Sequence, residues 1–96
     1  MRPSEALAKH RDEVLAIIAR YPVTNPRIFG SVARGEDVEG SDIDMVFDVH
    51  GSFSYFDMAR MALELEELLG CTLDIGTARS LKPDIAARAA PDLRPL

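Results

Sequence analysis

The stretch Pro26-Arg27-Ile28-Phe29-Gly30-Ser31-Val32-Ala33-Arg34-Gly35, followed through a loop by Ser41-Asp42-Ile43-Asp44-Met45-Val46-Phe47-Asp48-Val49, decides the fold. Its opening residues end in the apolar pair Ile28-Phe29 and stop at Gly30, which reads as a short strand over 26–29 feeding a turn. Residues 31–34 fit one helical turn. Residues 35–41 combine Gly35 and Gly40 with Glu36, Asp37 and Glu39, and read as a loop. Residues 42–49 are rich in branched and aromatic side chains and read as a strand that Gly51-Ser52 breaks.

The flanks extend this centre. Residues 4–20 are predicted helical, with Ser4 as N-cap, Leu7, Val14, Ile17, Ile18 and Tyr21 at helical spacing, and Pro22 as the stop. A second helix is predicted over 54–69, capped by Ser54 with Asp57 in the capping-box position. Its apolar stripe is Met58, Met61, Ala62, Leu65, Leu68 and Leu69, and Gly70 ends it. Residues 71–75, Cys-Thr-Leu-Asp-Ile, read as a third strand. A last helix is predicted over 80–90, with Ser80 as cap, Pro83 in its first turn and Pro91 beyond its end. The order α-β-(short α)-β-α-β-α implies an α/β (α+β) fold, a sheet with helices packed on it.

Composition bounds the function. The chain has 96 residues, so residues 1–96 are expected to form one domain, which at this size buries roughly 60–65% of its unfolded surface. Sixteen acids against 11 bases give a net charge of −5, which argues against a grip on polymeric nucleic acid. The lone Cys71 rules out an internal disulfide, and with only His10 and His50 the usual zinc spacings are absent. No apolar run is long enough to span a membrane and the N-terminus lacks a signal-peptide pattern, so a cytoplasmic protein is expected.

Chemistry concentrates in three places. Residues two apart in a strand face the same way, so Asp42 and Asp44 stand side by side. Parallel carboxylates repel unless one is protonated or a cation lies between them. Hard divalent cations favour such oxygen sites, and Mg²⁺ completes its shell with water and substrate phosphates. Asp74 lies in another apolar strand. If that strand neighbours 42–49, three acids could hold two ions roughly 3.5–4 Å apart, as in in-line nucleotidyl displacement. Gly30 lets a phosphate approach backbone N–H groups, and the Ser31 hydroxyl can add a hydrogen bond. Phosphate cradle and metal clamp together suggest a nucleoside triphosphate.

Gly30-Ser31, then Asp42-Ile43-Asp44, resembles the motif of the DNA polymerase β-like nucleotidyltransferases. The fuller form, Gly30-Ser31-x-Ala33-Arg34-Gly35-Glu36 with Ser41-Asp42-Ile43-Asp44, resembles the minimal nucleotidyltransferase (MNT) family. The likeness covers about residues 4–90. It implies a small mixed β-sheet flanked by helices. It further implies that Asp42 and Asp44 bind two Mg²⁺ ions, that Asp74 completes the metal site and takes the acceptor's proton, and that Gly30 and Ser31 hold the triphosphate of ATP. Arg34 is implied near the site, on the phosphates or bracing the loop through Glu36 or Asp37. The sequence departs from the family pattern at Val32, where many relatives carry a larger residue, and at Gly76, where an apolar strand residue is common.

The function the resemblance implies is transfer of AMP from ATP to a hydroxyl. Larger relatives add a helical domain for the acceptor, and this chain ends soon after its last predicted helix, so the acceptor is expected on another chain. The family points to a tyrosine of a HEPN-type RNase toxin, with this chain as the antitoxin in a homo- or hetero-oligomer. Two alternatives stand beside it: an antitoxin acting by binding alone, and a small-molecule nucleotidyltransferase of the aminoglycoside type. Asp48 shares the face of Asp42 and Asp44 but is expected beyond the site. Lys82 is expected solvated, His10 and His50 exposed, and Cys71 a small buried residue. Tyr55 and Phe56 fit either core or a partner surface. Residues 35–59 hold seven acids and no base, so the segment carries −7 and the rest of the chain +2.

Overall fold

Alternation along Ile43–Val49 (β2) turns Ile43, Met45 and Phe47 toward one face of a sheet, and all three are buried. The computed structural model describes residues 1–79 and 82–96. Around β2 lie helices Pro3–Lys9 (α1) and Arg11–Ile18 (α2), strand Val23–Phe29 (β1) and the short helix Gly30–Arg34 (α3). After β2 come helix Tyr55–Leu69 (α4), strand Leu73–Thr77 (β3), helix Pro83–Ala89 (α5), a 3-10 turn Ala90–Asp92 and a two-residue strand Arg94–Pro95 (β4). The sheet order is β3-β2-β1-β4. β1 is antiparallel to β2 and β4, while β2 and β3 are parallel, joined across α4. This is the mixed sheet with flanking helices that the sequence implied.

The helices divide between the faces. Leu7 of α1, Val14 and Ile18 of α2, and Met61, Leu65 and Leu69 of α4 join Ile43, Met45 and Phe47 in one core. Phe53 extends it, meeting Phe47 and Tyr21 edge-on at centroid distances of 5.8 and 6.1 Å. The other face carries Asp44 and Val46. There α5 stands across a cavity from Asp44, its Ala89 buried. No helix among the described residues is long and apolar enough to cross a membrane.

Several boundaries differ from the sequence reading. The single helix expected over 4–20 is two, broken at His10, where no Pro or Gly stands and whose ring pairs with Glu13 at 3.1 Å. Ser4 is not the N-cap. Arg2 is, with the Glu5 carboxylate accepting its N–H at 3.0 Å. β1 begins at Val23, not 26, because a register shift between Thr24 and Arg27 absorbs Pro26, with Asn25 in the left-handed region at φ 54°. β3 runs through Gly76 to Thr77, two residues past the expected end. α5 starts at Pro83 behind Lys82, and the expected cap Ser80 lies outside the described residues. β4 was not anticipated, since two residues ending in proline carry no strand pattern. The α4 cap matches expectation: the Ser54 hydroxyl accepts the Asp57 N–H at 3.1 Å and the Asp57 carboxylate accepts the Ser54 N–H at 3.0 Å. His50 is exposed and His10 half-buried, while Cys71 is half-buried, its thiol pushed up by burial and then by Glu66. Tyr55 and Phe56 are on the surface, 87% and 84% exposed.

The loop between α3 and β2 is anchored by Asp37. Its carboxylate is 2% exposed, and Oδ2 accepts the Ser4 N–H at 2.8 Å, while Oδ1 has no partner. Burial raises its acid, but the hydrogen bonds from Ser4 outweigh this and hold it below an ordinary carboxyl. Asp37 thus satisfies a first-turn amide of α1, which one helix end cannot satisfy by itself. Asp37→Ala is expected to lower unfolding free energy by about 1–2 kcal/mol, read as a lower urea midpoint.

Candidate active site

One row of register partners crosses the sheet. Phe29, the last residue of β1, lies opposite Asp44, and Asp44 lies beside Asp74 of β3. Side chains in such a row share a face. Asp42, two residues before Asp44 and just ahead of β2, lies near enough to repel the Asp44 carboxylate. The parallel register thereby brings Asp44 and Asp74 to one face, with Asp42 near Asp44. Asp44 is half-buried, while Asp42 and Asp74 are exposed. Burial, then Asp74 and Asp42, pushes the Asp44 acid above an ordinary carboxyl, and Arg34 opposes them.

Gly30 sits against this carboxylate. Its φ is +76°, and a Cβ added there would stand 2.5 Å from Asp44 Oδ2. The chain thus turns from β1 into α3 in a conformation and at a separation that suit only glycine. Ser31 follows in α3, half-buried, and its hydroxyl bonds to none of the described residues. Arg34 braces the loop. Its guanidinium donates to Glu36 at 3.2 Å and to Asp92 at 2.7 Å, and Asp37 is engaged elsewhere.

A cavity of about 320 Å³ opens over Gly30 and Asp44, walled by Phe29, Arg34, Asp92 and the α5 residues Ile85, Arg88 and Ala89. A second, of about 210 Å³, reaches Asp74, Ile75 and Gly76 and shares Phe29 and Ile85 with the first. Ile85, Arg88 and Asp92 were not singled out from sequence. Nothing in their spacing tells that α5 and the turn after it share a cavity with Asp44. Asp48 stands apart, held by Arg27 at 2.9 Å and by the Asn25 amide at 3.3 Å. Lys82 is exposed at the N-cap of α5.

The donor set suits a hard divalent cation. It consists of oxygens alone, and repulsion from Asp74 and Asp42 adds to burial in raising the Asp44 acid. Among the described residues no three acidic, histidine or cysteine side chains stand close enough together to hold a metal ion between them. The arrangement can take a cation between acids on one side and an anionic substrate on the other.

The family model described as a nucleotidyltransferase domain matches residues 7–93. MJ0435 of Methanocaldococcus jannaschii, provisionally named a protein adenylyltransferase, is 38% identical over 71 residues, covering 74% of this chain and 76% of that protein. The protein adenylyltransferase MntA of Thermococcus cleftensis is 35% identical over 80 residues, covering 83% of this chain and 78% of its own. A solved structure provisionally described as a minimal nucleotidyltransferase is 39% identical, with TM-score 0.84 over 97% of this chain and 95% of that one. A toxin-antitoxin crystal structure with AMP-PNP shares the fold, with TM-score 0.76 at 16% identity over 88% of this chain and 69% of that one.

Proposed function

The chain belongs to the nucleotidyltransferase domain family, and from that premise we propose that it moves AMP from ATP onto a hydroxyl of a partner protein, a tyrosine of a HEPN-type RNase toxin, and so acts as an antitoxin. Residues 1–96 work as one domain in the cytoplasm. The observation that carries the reading is the row Phe29, Asp44, Asp74 with Gly30 pressed against Asp44. Such a row is of use to a protein that must hold carboxylates against a phosphate-bound cation. Relatives named protein adenylyltransferases and the fold's appearance in a toxin-antitoxin structure support the choice of acceptor.

Asp42, Asp44 and Asp74 would hold two Mg²⁺ ions, which when bound offset charge on the α-phosphate and the departing pyrophosphate. The Gly30 backbone and the Ser31 hydroxyl orient the triphosphate, while Arg34 braces the loop beside them through Glu36 and Asp92. The acceptor oxygen attacks the α-phosphorus. A new O–P bond forms as the bond to the β-phosphate oxygen breaks, and pyrophosphate leaves. The acceptor's proton passes to the Asp74 carboxylate or to water.

Incubation with labelled ATP, Mg²⁺ and the toxin partner tests this. Label is expected on the partner and absent with the double variant Asp42→Asn, Asp44→Asn. Full neutralisation by that variant, without label, would show that binding alone suffices. Label on an aminoglycoside instead would identify a small-molecule enzyme.

A further inference from the structure

The cavity over Gly30 and Asp44 has two arginines in its wall, and their guanidinium groups are differently engaged. Arg34 is committed to two carboxylates, Glu36 and Asp92. Arg88, in the last turn of α5, has one partner among the described residues, Asp84 at 3.4 Å, with side chains 77% and 70% exposed. A pair so exposed contributes little and is easily given up. Asp84 lies outside the cavity wall, whereas Asp92 belongs to it.

Charge then decides which cation a phosphate chain would draw. Arg34, Arg88, Asp44 and Asp92 leave the wall neutral, and a triphosphate adds several negative charges to it. Recruiting Arg34 would strip Asp92 of its partner inside the same cavity, whereas recruiting Arg88 strips only a solvated Asp84. We infer that Arg88 is a phosphate-binding residue of the nucleotide site, reaching the triphosphate from α5 across the cavity from Gly30. Its planar fork suits phosphate oxygens. Ile85, one turn earlier, and Phe29 leave an apolar wall beside it for the rest of the nucleotide. The inference rests on the ATP reading of this site.

Calorimetric titration with ATP and Mg²⁺, and with adenosine by competition, tests it in the wild type, Arg88→Ala, Arg88→Lys and Asp84→Ala. Arg88→Ala is expected to weaken ATP about 10-fold and adenosine less than about 2-fold, since adenosine has no phosphates to lose. Arg88→Lys is expected to recover part of the loss, and Asp84→Ala to bind ATP at least as tightly as the wild type. Unchanged ATP affinity in Arg88→Ala, or equal losses for ATP and adenosine, would overturn the inference. A wild type that binds no ATP would overturn the reading beneath it instead.

Discussion

Asp44→Asn is expected to lower kcat for nucleotidyl transfer about 10³-fold, while raising the Tm of the same protein at pH 7 in the absence of divalent cations. The first effect follows from placement. Asp44 is the acid at the centre of the site: it is the register partner of Asp74, it lies against Gly30 and it lines the cavity. Asparagine keeps its shape and removes its charge. Loss of one such electrostatic partner to a transferring phosphoryl group is worth about 4 kcal/mol, which is about 10³-fold in rate.

The second effect follows from the raised acid. The folded chain holds the Asp44 proton more tightly than the unfolded chain does. Between the ordinary carboxyl value and the raised one, the folded state therefore carries more protons, and stability falls as pH rises through that window. Above it, at pH 7, the whole loss remains, and asparagine is free of it. The Tm advantage of the variant should vanish as pH is lowered below the ordinary carboxyl range. Mg²⁺ should raise the Tm of the wild type and leave the variant unmoved. Thermal scans with chelator or Mg²⁺ read both. A variant with lower Tm at neutral pH, or with kcat within about tenfold of the wild type, would show that Asp44 holds structure more than charge. Asp42 and Asp74 are exposed, so their replacement brings no comparable gain in stability.

The nearness of Asp42 to Asp44 was legible because the strand pleat is a rule of two, although β2 begins at Ile43 and leaves Asp42 just ahead of it. The step from Asp44 to Asp74 was legible only conditionally. It needed β2 and β3 to be neighbours in parallel register, a nonlocal fact that the sequence implied through resemblance alone. Gly30 announced a turn, but not that Asp44 Oδ2 would fill the place of its missing side chain. Asp37 read as a loop acid and a possible partner of Arg34, because nothing local reveals that the α1 amide at Ser4 would reach it across 33 residues. The C-terminal third of the site was the least legible. Ile85, Arg88 and Asp92 have ordinary helix and turn spacing, and their meaning comes from sharing a cavity with Asp44, a nonlocal placement. Arg34 shows the same limit, since Glu36 was readable as a partner two residues on, and Asp92 was not.

Gly30→Ala is expected to cost more activity than stability, about 10²-fold or more in kcat against about 1–3 kcal/mol of unfolding free energy. Two penalties act together. A left-handed φ of +76° costs an alanine about 1–2 kcal/mol. The added methyl also lies 2.5 Å from Asp44 Oδ2 and 3.5 Å from its Cγ, so one of the two must move. Gly35→Ala separates these penalties, because Gly35 has a φ of +72° and nothing within 4 Å of its missing Cβ. That variant should show the backbone cost alone and keep most of its activity. Should the Gly30 methyl displace the Asp44 carboxylate, kcat falls and the melting curve moves little beyond the Gly35→Ala control. If the turn from β1 into α3 shifts instead, Gly30 and Ser31 move away from the cavity and KM for ATP rises as well. Urea melts and steady-state kinetics on the two variants distinguish these outcomes. Equal activity in Gly30→Ala and Gly35→Ala would mean that the contact with Asp44 has no part in the chemistry.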